Sequence, residues 1–229
     1  SDNAVKWFEA RGISQRTLIK MKISEGSEWM PQTSKLENTI QFNYFINNEL
    51  INVKYRDGRK NFKLVKGAEK VFYNLDSTVG HDYVVIVEGE MDALSFVDAK
   101  IDSVVSVPNG ATLNRLNLDY LDSCIEYFDD KSRIIIAVDQ DEAGQNLQQE
   151  LIRRFGAEVC YTISFGEFKD ANEYLLHHGS VMLKRLVDTA SAVPLENVVT
   201  LKDVNDELQE FIHEGFKPGF QVGLDNFDS

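Results

Sequence analysis

Between residues 83 and 163 the sequence runs through one rhythm repeatedly, and that rhythm leaves little freedom in the fold. Tyr83-Val84-Val85-Ile86-Val87, Ser103-Val104-Val105-Ser106-Val107, Arg133-Ile134-Ile135-Ile136-Ala137-Val138 and residues 158–163 are short runs rich in β-branched side chains. Apolar runs of this kind, without polar alternation, suit strands buried on both faces. Residues 91–99, 113–128 and 142–155 lie between them and carry helical spacing. Four strands with three interposed helices predict a compact parallel α/β sheet with right-handed crossovers.

The residues before this region read differently. Residues 4–24 are helical by spacing, Gly12 breaks the run, and Ser14 is placed to cap a second short helix starting at Gln15. Across 38–75 the apolar residues Ile40, Phe42, Tyr44, Ile46, Ile51, Val53 and Tyr55 are mostly spaced by two. Asn47-Asn48 and Asp57-Gly58 supply turns, and Val71-Phe72-Tyr73 follows later. This predicts an antiparallel β-rich lobe. The fold class is therefore α/β: a mixed α+β N-terminal lobe followed by a parallel α/β sheet. Residues 171–190 read as a further helix. Pro194 opens a polar linker, and Leu201, Val204, Leu208, Phe211 and Ile212 form an apolar stripe on a helix beyond it. The expected divisions are 1–80, 81–190 and 191–229.

Charge narrows the function. The 229 residues carry 37 acidic and 24 basic side chains, a net charge of −13, so a uniformly basic nucleic-acid coat is excluded. Yet residues 54–70 hold seven basic residues against two acidic ones. Lys54, Arg56 and Lys63 sit there in strand-like context and are candidates to hold nucleotide or template phosphates. A solvated edge strand guarded by charge is the plainer alternative. Cys124 and Cys160 form no C-x-x-C, and His81, His177, His178 and His213 show no ligand spacing, so neither a disulfide framework nor a zinc site is supported. The apolar runs are far shorter than the ~20 residues of a membrane helix, and no secretory leader opens the sequence. The expected setting is the cytoplasm of a bacterial or phage-infected cell.

The residues just past the strand ends carry the chemistry. The first strand runs into Glu88-Gly89-Glu90-Met91-Asp92, and the third into Asp139-Gln140-Asp141-Glu142. Ligands gather at the carboxyl ends of strands in open parallel sheets. If these two strands are neighbours, Glu88 and Asp139 face one crevice, with Asp141 two residues on. Carboxylates so gathered repel one another unless a cation intervenes, and Mg²⁺ or Mn²⁺ is the natural one. Asp141 could equally cap the following helix, and Glu90 and Asp92 could serve only the helix dipole.

This pattern resembles the Toprim domain, shared by primases, topoisomerases, recombination mediators and some nucleases: a Glu-Gly after the first strand and an Asp-x-Asp after the third. VEGEMDALS at 87–95, SVPNGAT at 106–112, DQDEAGQ at 139–145 and KDANEYL at 169–175 are similar to the RNA-polymerase domain of phage and mitochondrial-type primase-helicases. The resemblance covers about residues 4–185 and continues weakly to 229. It implies DNA-dependent synthesis of RNA primers on single-stranded DNA by metal-dependent nucleotidyl transfer. Glu88, Asp139 and Asp141 become the catalytic, Mg²⁺- or Mn²⁺-binding carboxylates. Asp170 is a further metal-site candidate whose alternative role is a helix cap. Lys54, Arg56, Lys63, Asn109 and Gly110 become nucleotide- or DNA-binding residues. The partners implied are single-stranded DNA, ribonucleoside triphosphates, a zinc-binding module and a helicase domain, with self-association through 195–229 and no membrane.

Within the Toprim group, a topoisomerase would need a tyrosine nucleophile on a further domain, a recombination mediator a cysteine cluster, and a nuclease would lack Lys-Asp-Ala-Asn. The sequence has no Gly-x-x-x-x-Gly-Lys-Ser/Thr phosphate loop, so no helicase activity of its own is expected. A non-catalytic DNA-binding or assembly module of a helicase is the rival from another class.

Overall fold

The computed structural model describes residues 1–109 and 118–195. The chain divides into two units, Ser1–Val193 and Pro194–Ser229, and every described helix and strand belongs to the first. The helix expected at 201–214 and the helicase-like stretch at 219–225 lie outside the described residues.

Two helices open the chain. α1 (Asp2–Glu9) buries Phe8 and α2 (Gln15–Lys20) buries Leu18. Ser14 caps α2 as expected, its hydroxyl accepting the Thr17 amide at 3.4 Å. Asp98 reinforces that cap, accepting the Ser14 amide at 2.9 Å and the Ser14 and Thr17 hydroxyls at 2.6 and 2.7 Å. The helical reading of 4–24 overruns, because Lys22 adopts a φ of 51° and turns the chain into a strand.

That strand, β1 (Ser24–Met30), leads an antiparallel sheet continued in order by β2 (Lys35–Ile46), β3 (Glu49–Asp57) and β4 (Phe62–Leu64). β1 escapes sequence reading because it carries no β-branched residue. Pairing with β2, from Ser24 opposite Gln41 to Met30 opposite Lys35, forms it instead. Asn47 and Asn48 make the β2–β3 turn with positive φ, a backbone state Asn tolerates. Val71, Phe72 and Tyr73 are not a run of this sheet. All three are fully buried, and only Tyr73 forms a bridge, to Ser106.

The second sheet has the order β6-β5-β7-β8-β9. β5 (Tyr83–Val87), β6 (Val104–Ser106), β7 (Arg133–Ala137) and β8 (Cys160–Thr162) are parallel, and the two-residue β9 (Ser191–Ala192) is added antiparallel to β8. α3 (Glu90–Asp98) follows β5. The expected helix over 113–128 is not continuous: among the described residues it is α4 (Asp119–Asp122) and a 3₁₀ turn at Ile125–Tyr127. Ser123 ends α4, and the turn that follows buries Cys124 and Phe128. α5 (Glu142–Phe155) and α6 (Ala171–Asp188) complete the set, α6 being kinked where Gly179 takes φ 76°. A single core joins Phe8, Phe42 and Tyr44 of the first lobe to Val85, Ile86, Ile135 and Leu147 of the second. No helix among the described residues is long and apolar enough to cross a membrane.

Candidate active site

β5 and β7 are hydrogen-bonded neighbours with Val87 opposite Ala137. Glu88 and Asp139 therefore leave the sheet at adjacent carboxyl ends, as the strand pattern requires. They line a cleft of about 640 Å³ together with Glu90, Asp92 and Asn109, facing Lys54 and Phe62 of the antiparallel sheet. Gly144 lets α5 start close against this turn: a Cβ there would lie 2.1 Å from the Asp139 carbonyl oxygen.

Asp141 takes the capping role considered for it and also meets a lysine. One oxygen caps α5, accepting the Gly144 amide at 3.0 Å. The other lies 3.3 Å from the Lys169 ammonium, which also sits 3.1 Å from Asp139. The Gly144 hydrogen bond, with Lys169 behind it, holds the Asp141 carboxyl below its ordinary pKa. Asp139 goes the other way. Burial raises its pKa, and Lys169 only partly opposes that. Asp170 caps α6, accepting the Glu173 amide at 2.8 Å.

Glu90 and Asp92 do more than complement a dipole. Glu90 is buried and accepts from Lys54 at 2.7 Å and from the Tyr44 hydroxyl on the same oxygen. Burial first, and the Glu90 charge next, raise the Tyr44 pKa well above its usual value. Asp92 is also buried; desolvation, then the charges of Asp170 and Asp139, push its carboxyl well above the ordinary Asp value. Asn172, in the Lys-Asp-Ala-Asn motif, steadies Asp92 through its amide N–H at 3.2 Å. Its side-chain amide donates to the Arg11 carbonyl and the Ser95 hydroxyl, both at 2.9 Å, tying the first lobe to α3.

The basic candidates separate. Lys54 faces the carboxylates. Arg56, on the same face of β3, stacks over Trp7 with its guanidinium carbon 4.6 Å from the ring centre, beside an adjoining cleft of about 490 Å³. Lys63 edges the main cleft, but its ammonium is engaged by Glu28 and by the Trp29 carbonyl at 3.0 Å. Asn109 lines the cleft; Gly110 lies outside the described residues. Lys169 escapes sequence reading, although it opens the Lys-Asp-Ala-Asn motif, because only the aspartate there suggests a metal.

The donors are hard carboxylate oxygens, which fits Mg²⁺ or Mn²⁺. Burial first, and the charges of neighbouring carboxylates after it, raise the Asp92 and Asp139 pKa values, and a cation would offset both. Among the described residues no three carboxylate, histidine or cysteine side chains are already gathered to hold an ion.

Comparison with known proteins agrees with this geometry. The Toprim-like family model matches residues 85–175. The Twinkle homolog protein, chloroplastic/mitochondrial, of Arabidopsis thaliana is 31% identical over all of this chain and 34% of its own length. The Primase homolog protein of the same plant is 34% identical over 86% of this chain and 61% of its own length. The chain thus spans about a third to three fifths of these relatives. The crystal structure of the primase fragment of the bacteriophage T7 primase-helicase protein superposes with a TM-score of 0.66 at 26% identity, covering 78% of this chain and 72% of that one. With the strand-end carboxylates, these similarities support a Toprim-containing primase domain.

Proposed function

We propose that this chain is the primer-synthesising part of a primase-helicase, joining ribonucleotides on a single-stranded DNA template. The observation that carries the reading is Glu88 and Asp139 at adjacent strand ends, facing Lys54 across one cleft. In the reaction the 3′ hydroxyl of one nucleotide attacks the α-phosphate of the next, and pyrophosphate leaves. Mg²⁺ or Mn²⁺ held by Glu88, Asp139 and Asp141 would polarise phosphoryl oxygens and offset their charge. The Lys54 ammonium, pinned by Glu90, meets the triphosphate from the opposite wall. Asn109 offers an exposed polar contact in the cleft lining, Phe62 an exposed ring, and Arg56 and Lys63 extend positive charge along the sheet. Asp170 acts on the site through its charge on Asp92 while capping α6. Catalysis is then chiefly positioning and electrostatics.

The partners we propose are single-stranded DNA, ribonucleoside triphosphates, a helicase domain and a zinc-binding module. Self-association through 195–229 completes the set. The setting is a bacterial or phage-infected cell. The test is primer synthesis on a mixed-sequence single-stranded template with Mg²⁺ and Mn²⁺, with Mn²⁺ calorimetry alongside. The parent chain is expected to make short RNA and to bind Mn²⁺ weakly, and Asp139→Asn/Asp141→Asn to do neither. Equal Mn²⁺ binding by both would remove the metal site from the proposal.

A further inference from the structure

We infer that Lys169 is the resident counter-ion of the Asp139–Asp141 pair, so that a divalent cation enters this site by displacing a side chain of the protein itself. The inference rests on the metal site proposed for these carboxylates and adds a residue that the proposed reaction does not use.

The Lys169 ammonium bridges the two carboxylates at 3.1 and 3.3 Å, the place a shared cation would neutralise. The need for a positive charge is acute there. Asp139 is only 15% exposed, and its nearest acidic neighbours include Asp141 and Asp170. Two like charges this close repel, and the Lys169 ammonium, 3.1 and 3.3 Å from them, holds them on one side of the cleft before any metal arrives.

The residue is also built to let go. Its backbone is anchored: the N–H donates to the Glu173 carboxylate at 2.7 Å, and the carbonyl accepts the Gln140 amide at 2.9 Å. Its side chain, by contrast, is 57% exposed. The stem is fixed and the head is in water, so the ammonium can swing clear without disturbing the core. On its lysine side the contact is open to water and screened by salt, unlike the Lys54–Glu90 pair, which is buried on both sides. Loss of the bridge therefore costs little when a doubly charged ion competes for the same oxygens. The arrangement trades metal affinity for a site that is already assembled.

Calorimetric titration of Mn²⁺ into the chain tests this, comparing the parent with Lys169→Gln, Lys169→Arg and Asp139→Asn/Asp141→Asn, each checked for folding by circular dichroism. Removing the competing charge is expected to tighten Mn²⁺ binding about tenfold in Lys169→Gln, an effect that shrinks as salt rises. Lys169→Arg, which keeps the charge, is expected to stay near the parent. In EDTA the Lys169→Gln chain is expected to melt below the parent, and added Mn²⁺ to close the gap. Affinity in Lys169→Gln equal to or weaker than the parent's would overturn the inference. If the parent binds and the double Asn variant does not, that failure leaves the metal site standing. If no variant binds Mn²⁺, the metal site and the inference fall together.

Discussion

Replacing Glu90 by leucine removes the acceptor shared by Lys54 and Tyr44. The Lys54 side chain is 11% exposed and that of Glu90 5%, so water cannot substitute for the lost partner. A buried ion pair broken on one side costs about 3–5 kcal/mol, because the remaining charge stays desolvated. In a domain of this size each kcal/mol moves the melting temperature by roughly 2–4 °C, so Glu90→Leu is expected to melt about 6–20 °C lower. Lys54→Met is the milder partner change, since Glu90 keeps the Tyr44 hydroxyl. The double variant Lys54→Met/Glu90→Leu leaves no stranded charge and is expected to recover most of the loss. Urea unfolding of the four proteins yields the coupling energy directly. A coupling below about 0.5 kcal/mol, or a double variant as unstable as the sum of the singles, would refute the reasoning that the cost comes from a stranded buried charge.

Asp92→Asn is expected to raise the metal-free melting temperature at pH 8. The folded pKa of Asp92 lies above its unfolded value, so its ionisation costs stability progressively as pH rises past ~4, and the variant's advantage should vanish at and below that pH. A gap of constant size across pH, followed by calorimetry in EDTA, would contradict this. Gly144→Ala sets a methyl 2.1 Å from backbone that cannot swing aside. A loss of about 1–3 kcal/mol in chemical denaturation is expected, together with weaker Mn²⁺ binding; unchanged values would show that α5 shifts freely. Single-stranded DNA binding is expected to be weak and to strengthen as salt falls. Arg56→Ala should lower the slope of log affinity against log salt by about one. Lys63→Ala should lower it less, because Glu28 already holds that ammonium. Fluorescence anisotropy across a salt series measures both, and identical slopes in all three proteins would place the DNA surface elsewhere.

The parallel sheet is legible because buried strands such as Tyr83–Val87 and Arg133–Ala137 advertise themselves by composition, and helix α5 because it has both a cap and a clear period. The carboxylates at their ends follow from topology alone. What the sequence hides is set by pairing and packing. β1 exists because β2 offers it a long edge. The 113–128 periodicity is equally satisfied by turns that bury Leu121, Cys124 and Phe128. Glu90 reads as a helix-start acid until Tyr44 and Lys54 close over it from strands more than thirty residues away. Lys169 and Arg56 show the same limit. A charge can be read from sequence, but its partner cannot: one bridges two aspartates and the other lies on an indole.

The bridge between Tyr73 and Ser106 has a consequence for how the molecule comes apart. Tyr73 and Ser106 exchange backbone hydrogen bonds at 2.9 and 3.2 Å, stitching the segment that leaves the antiparallel sheet onto the edge strand β6. Both residues are buried, so neither amide meets solvent unless the core around them opens. Their hydrogen exchange should therefore run at the slow rate set by complete unfolding, alongside the centre of β5. Heat should then release residues 1–193 in one cooperative step, with neither lobe outliving the other.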